Sequence, residues 1–261
     1  AYSALKPENS KGYADVVWRA RTEKALPALI DLIGNTKSLA YFRALDFMPG
    51  EQKSEALFGL IKGKFTDDVN AQLEALRHMK PAYIDSHPEV KSMLSTLLKQ
   101  INGKPYLELV DYYQLTEESP RVLGMILAGT EASKSGQVLY NLPGGAELIR
   151  SKFFAGKEAE QLALIETLRW QGKTESAQLL YEATANPKLS KTVQMQAARV
   201  IGNAYPTEEF VLDLLEKKKI TTAYIPLVVE SLQKAWRKSI RMKANSYLDK
   251  HQTETKKAHP A

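Results

Sequence analysis

Apolar residues recur along most of the chain at offsets of three and four, the spacing of one face of an α-helix. Leu26, Leu29, Ile30 and Ile33 do so within 23–33, and Val69, Leu73 and Leu76 within 67–79. Ala159, Leu162, Ile165 and Leu168 carry the pattern through 157–170, and Phe210, Val211, Leu214 and Leu215 through 206–219. A longer run, 224–248, puts Val228, Leu232, Ala235, Trp236 and Ile240 on one predicted helix, with Trp236 in the core. No stretch alternates apolar and polar residues between hairpin signals, so no sheet is expected.

The breaks carry helix-end chemistry. Ser119-Pro120 and Thr66-Asp67 offer capping oxygens and first-turn residues. Gly34, Gly63, Gly103, Gly156, Gly172 and Gly202 follow apolar runs, as residues able to end a helix at positive φ. Helices of about 10–16 residues with short turns imply antiparallel neighbours. The helix–break–helix unit also repeats. Residues 160–187 and 193–220 stand 33 positions apart, a further 32 reach Ile225, and 40–61 has the same form around Pro49-Gly50. The expected fold is therefore all-α: an α-solenoid of HEAT/armadillo-like helix pairs over 1–249, followed by a polar linker or tail at 250–261. Glycines 124, 129, 136, 144, 145 and 156 make about 102–156 its irregular part, with short or interrupted helices. There Leu142-Pro143-Gly144-Gly145 reads as a poorly conforming repeat or as a hinge or binding loop.

Composition narrows the function. Of 261 residues, 44% are hydrophobic and 25% charged, the mix of a soluble globular protein. No apolar run approaches the roughly 20 residues of a membrane span, so no membrane insertion is expected. With no cysteine there is no disulfide, thiolate metal site, covalent haem or cysteine nucleophile. The net charge of +6 arises in the last 31 residues, which hold eight basic and two acidic side chains; the first 230 carry 28 of each sign. On the predicted last helix Lys234, Lys238 and Arg241 follow i, i+4, i+7, with Arg237 adjoining. This basic stripe is the candidate partner-binding surface, for an acidic protein face or a neighbouring domain. The plainer reading is the polar outer side that ends a solenoid. Neutrality of the first 230 residues disfavours nucleic acid.

The search for chemistry finds no catalytic set. His78, His87, His251 and His259 form no metal-binding pair and read as surface histidines. Gly172-Lys173-Thr174 lacks the glycine and strand of a phosphate loop and reads as a helix end. Ser231 and Lys234 share a serine–lysine spacing common by chance. The carboxylates of 67–68, 117–118 and 208–209 fall at helix starts, where they complement the dipole. Arg43 and Asp46 read as an ion pair within a helix or between repeats, and Trp18 and Trp170 as packing or a concave binding face. No catalytic residue, metal ligand or cofactor is expected, and the segment is read as non-enzymatic.

Residues 190–204 (SKTVQMQAARVIGNA) and 23–35 (EKALPALIDLIGN) resemble HEAT repeats. Val193, Ala197, Ala198, Ile201 and Gly202 approximate the second-helix pattern, and Leu26, Pro27, Leu29 and Ile30 the first. ALPALIDLIGN, YFRALDFMPGEQKSEALFGLI and RMKANSYLDKHQTETKKAHPA together resemble the HEAT-like region of large exported bacterial proteins. In that family a sorbosone or glucose dehydrogenase-like propeller precedes the helical region and a c-type cytochrome follows it. The resemblance covers roughly 18–61 and 190–261. It implies a fragment of a multidomain protein, an extracytoplasmic location, and a scaffold linking or docking neighbouring domains or another protein. Redox activity would belong to the other domains. The alternative reading is a nucleic-acid-binding HEAT-like module such as a DNA glycosylase.

Overall fold

The computed structural model describes residues 10–20, 22–48 and 52–258. Among them the regular structure is entirely helical, without a strand. Contacts divide the chain into two units, 1–113 and 114–261.

The first unit contains α1 (Ser10–Arg19), α2 (Leu26–Thr36), α3 (Leu39–Ala44), α4 (Gln52–Lys62), α5 (Val69–Arg77), α6 (Pro81–Ser86), α7 (Pro88–Gln100) and α8 (Gly103–Tyr112). Helix α2 packs on α3 and α4, α3 on α5, and α5 on α8. Leu29, Ile33, Phe42, Leu45, Leu57 and Leu76 are fully enclosed between them. Each such side chain contributes about 1.5–3 kcal/mol on leaving water. Polar groups tie one helix to the helix about 30 residues on. Asp68 caps α5 by accepting from Ala71 N at 3.0 Å, and its carboxylate also takes Lys37. Lys37 itself, at φ 53°, ends α2. The Tyr113 hydroxyl donates to the Leu76 and Met79 carbonyls at the end of α5, and Tyr112 donates to Met79 O at 3.1 Å. These bonds tie the end of α8 to carbonyls at and just beyond the C-terminus of α5. Burial pushes the Tyr113 phenol far above its ordinary range.

The second unit contains α9 (Ser119–Leu127), α10 (Ala132–Asn141), α11 (Gly145–Ala155), α12 (Glu158–Leu168), α13 (Thr174–Ala185), α14 (Lys191–Val200), α15 (Glu208–Glu216), α16 (Ile225–Leu232) and α17 (Lys238–Ala258). Helices α12, α14 and α16 pack in succession, and so do α11, α13, α15 and α17. Every second helix is therefore a spatial neighbour. Gln161 Nε2 donates to Phe153 O at 3.0 Å, and 33 residues later Gln194 Nε2 donates to Asn186 O at 2.9 Å. In both cases the glutamine reaches a carbonyl eight residues back and closes the turn before its own helix.

Several expectations change. The apolar run 224–248 is not one helix: α16 stops at Leu232 and α17 starts at Lys238. The break lets α17 fold back on α15 and α16, burying Ile240 and Ala244. Trp236 then lies in the turn and is 85% exposed, not in the core. Gly34 and Gly202 do not end helices at positive φ. Each gives room to a neighbouring helix: a Cβ on Gly34 would meet Leu60 and Lys64, and one on Gly202 would meet Ser231 and Leu232. Ser119 is the first residue of α9, not its cap, and Asp68 rather than Thr66 or Asp67 caps α5. Between 102 and 156 the helices have 9–11 residues, with Gly129 and Gly144 at positive φ in their turns. Leu142-Pro143-Gly144-Gly145 is a tight turn in which Gly145 N donates to Leu142 O at 3.0 Å and Leu142 is buried. The segment 250–258 is helical, as the end of α17. Pro49-Gly50, residues 259–261 and the Trp18 side chain lie outside what is described.

Candidate functional site

Helices α12, α14 and α16 lie parallel, their C-terminal ends together. Gln196 of α14 donates to Glu166 of α12 at 3.0 Å, and the Gly202 N–H donates to Ser231 Oγ of α16 at 3.0 Å. The turns that leave these helices, 169–173, 201–207 and 233–237, consequently form one edge of the second unit. Gly172, at φ 59°, sits against the Tyr205 carbonyl, so adjacent turns touch.

Each turn carries one large exposed ring. Trp170 is 56% exposed, Tyr205 65% and Trp236 85%. An arginine accompanies them: the Arg169 guanidinium lies 4.5 Å from the Trp170 ring centre, and that of Arg237 lies 5.6 Å from Tyr205. Such stacking favours a cation over a ring face. The arginines are already matched by carboxylates. Arg169 pairs with Glu166 at 2.8 Å, and Arg237 pairs with Glu208 at 3.1 Å and with Glu209. Burial alone would lower the Arg237 guanidinium, but the hydrogen bonds and charges of Glu208 and Glu209 outweigh it and hold it above its ordinary value.

The same edge gathers orphaned polar atoms. Arg169 Nε, both amide atoms of Asn203, Glu208 Oε2 and Arg237 Nη2 are buried without a hydrogen-bond partner. Buried polar atoms in folded chains are almost always paired, so five such atoms in adjoining turns set this edge apart from the rest of the described residues.

The sequence-predicted basic stripe does not form. Lys234 and Arg237 lie in the break between α16 and α17, Lys238 opens α17, and Arg241 turns back to donate to the Ala235 and Trp236 carbonyls at 2.6 and 2.9 Å. Arg237 and Arg241 thus hold the turn in shape. Lys234 and Lys238 remain exposed on the aromatic edge. Ser231 is fully buried and donates to the Val228 carbonyl at 2.7 Å.

Two other places, both in the first unit, bring chemically distinctive side chains together. His78, read from sequence as a surface residue, has a side chain only 9% exposed. Its ring stacks on Phe42, and its nitrogens meet Asp46 at 2.8 Å and Glu74 at 3.3 Å. Asp46 therefore serves an inter-helix pair with His78, 32 residues on, rather than the expected partner Arg43. Among the described residues no group of histidine and carboxylate side chains is arranged to hold a metal ion. An open groove of about 800 Å³ runs past Phe58, Lys62, Val69, Glu89 and Met93 in the first unit, spanned by the Lys62–Glu89 pair at 3.3 Å.

The aromatic edge was missed because a tryptophan at helical spacing reads as core. The signal that could have found it is the separation of Trp170, Tyr205 and Trp236 by 35 and 31 positions, close to the expected spacing of 32–33. Comparison with family models, curated proteins and solved structures found no match. Among the described residues no helix is long and apolar enough to cross a membrane.

Proposed function

We propose that this chain is a non-catalytic helical-repeat scaffold, a HEAT/armadillo-like α-solenoid that docks protein segments or neighbouring domains. The observation that carries the reading is the recurrence of side-chain bridges at about one helix pair of separation. Lys37 meets Asp68, Asp46 meets His78, Arg77 meets Glu108, Arg150 meets Glu182, Gln194 meets Tyr224 and Glu208 meets Arg237, all 29–32 positions apart. Such a ladder is what stacked repeats require, since each repeat buries its face only on its neighbours. The sequence resemblance supports a place beside other domains of an exported multidomain protein.

Hydrogen exchange at rising denaturant tests the array. Stacked pairs open as local cooperative blocks. Protection within α9–α17 should be lost in steps of about one helix pair, beginning at an end. Simultaneous loss over all nine helices would overturn the reading.

A further inference from the structure

We infer that a cleft between the turn after α15 and the second half of α17 binds a small phosphate monoester. The inference goes beyond the scaffold reading and does not depend on it.

The backbone builds the first wall. Helix α15 ends in a turn in which Lys218 N donates to Leu215 O and Lys219 N to Leu214 O, both at 2.9 Å. This pair of bonds needs a left-handed residue after the helix. Lys218 takes that position at φ 54°, where glycine would carry no steric penalty. Lys37 does the same at the end of α2, and its ammonium group is used there to hold Asp68. Lys217 is likewise taken, by Asp213 at 2.9 Å. Among the described residues Lys218 has no carboxylate partner.

The second wall comes from α17, which folds back on α15 and α16. Tyr247, Lys250 and His251 stand three and four positions apart, on one helix face. The Tyr247 and His251 rings are stacked, 9° from parallel with their centres 6.4 Å apart. Among the described residues Lys250 also has no carboxylate partner.

The cleft between these walls has a volume of about 380 Å³, in the range of roughly 300–1,000 Å³ that small-ligand sites occupy. Lys218 and Thr222 bring donors from one side, Lys250 and His251 from the other, and Ile220 and Ile225 add apolar surface. Glu216 and Asp249, the acidic residues beside these segments in the sequence, do not line it. A lysine at the end of α15 complements the helix dipole. That does not account for Lys250 and His251, which reach the same cleft from another helix.

Charge selects the ligand. A phosphate monoester carries about −1.5 to −2 near neutral pH on three terminal oxygens. Two ammonium groups match that charge, and lysine binds phosphate as a point charge. The imidazole and the Thr222 hydroxyl supply further donors. A carboxylate, with one charge and two oxygens, would leave one lysine unmatched. The stacked rings and the two isoleucines suit the ring of an organic ester, a nucleoside or a sugar, rather than a bare anion.

The test is calorimetric titration of the intact chain at about 0.15 M salt, where attraction between exposed charges is screened beyond about 8 Å. The probes are adenosine monophosphate, glucose phosphate and inorganic phosphate. Expected is one-to-one binding of at least one ester, at least about tenfold tighter than inorganic phosphate. The preferred ester tells whether the rings hold a flat base or a sugar. Lys218→Gln and Lys250→Gln should each weaken binding about tenfold, the loss of one charge-assisted hydrogen bond. Lys243→Gln removes the same charge from an exposed position of α17 outside the cleft and should leave affinity unchanged. Helicity by circular dichroism should match the parent in all three, since each lysine is exposed. If Lys218→Gln disturbs its turn, Lys250→Gln against Lys243→Gln carries the comparison. Equal losses in these last two would overturn the inference, because general surface charge would then explain binding. So would absence of binding, or inorganic phosphate bound as tightly as either ester. A phosphoserine peptide bound more tightly than both esters would overturn it as well, in favour of a protein partner.

Discussion

The Tyr224 hydroxyl donates to Gln194 Oε1 at 2.6 Å, thirty residues back, and both side chains are buried. Gln194 meanwhile donates its amide hydrogens to the Asn186 and Leu189 carbonyls, at 2.9 and 2.8 Å. One carboxamide thus closes the turn before α14 and anchors the start of α16. With every polar atom satisfied, the network specifies which helix lies beside which. Removing the hydroxyl strands a buried acceptor. Tyr224→Phe should therefore destabilise the second unit by about 1–3 kcal/mol. Urea titration monitored by ellipticity checks this, and an unchanged midpoint would show that the bond is dispensable.

Glycines at two kinds of place should respond with opposite signs. A Cβ at Gly202 would come within 2.6 Å of Ser231 Oγ and 2.9 Å of Leu232. These belong to a packed neighbouring helix, so Gly202→Ala should cost about 1–3 kcal/mol. Gly124, inside α9, faces open space. Gly124→Ala should stabilise by about 0.5–1 kcal/mol through the helix alone. The pair of thermal melts is the measurement, and movement in the same direction would refute the close-approach account.

Acid should loosen the ladder. Asp68 is held below the usual carboxylate range by its bond from Lys37 and by the Ala71 N–H. Glu160 is lowered by its bond from Lys152 and by the Lys157 N–H, and Glu182 chiefly by its bond from Arg150. A folded-state value below the unfolded one contributes stability that is complete above the unfolded value, about 4. That contribution is lost as pH falls through the folded value. Melting temperature should therefore hold steady from neutrality to about pH 5 and decline below about pH 4. Glu182→Gln should melt earlier at neutral pH and converge on the parent in acid. Parallel curves at every pH would exclude the Arg150–Glu182 pair as a contributor.

How far the sequence revealed this molecule depends on which interaction decided each position. The helices were legible because burial imposes a period of about 3.6, which Leu29, Ile33, Leu164 and Leu168 obey. The offset of 33 read from the sequence coincides with the separation of Gln161 and Gln194, each of which bonds a carbonyl eight residues back. The end of α16 was not legible, because Val228, Leu232, Ala235 and Ile240 fit one continuous helix as well as two. What breaks it is tertiary. Arg237 is drawn toward Glu208 and Glu209, and Arg241 serves carbonyls that the broken helix exposes. That same break takes Trp236 out of the core and turns an expected basic stripe into an aromatic edge. Glycine was ambiguous for a similar reason, since permission for positive φ and permission for close approach look identical in sequence.

The Arg237–Glu208 pair offers the sharpest mutational test. Glu208 is 1% exposed and opens α15, while Arg237 comes from a turn nearly thirty residues later. Arg237→Gln leaves the carboxylate buried with no cation, and a buried charge without its partner is strongly unfavourable. Replacing both residues by methionine removes charge and desolvation penalty together, and an apolar pair of similar volume is often neutral or stabilising. The expected order of melting temperatures therefore places the single variant lowest and the double variant near the parent. Hydrogen exchange should find the single variant's loss of protection at the start of α15 and in the 233–237 turn. Salt should change the parent little, because the pair is largely withdrawn from solvent. A double variant that melts as low as the single one would mean that packing around Tyr205, rather than charge pairing, holds these turns together.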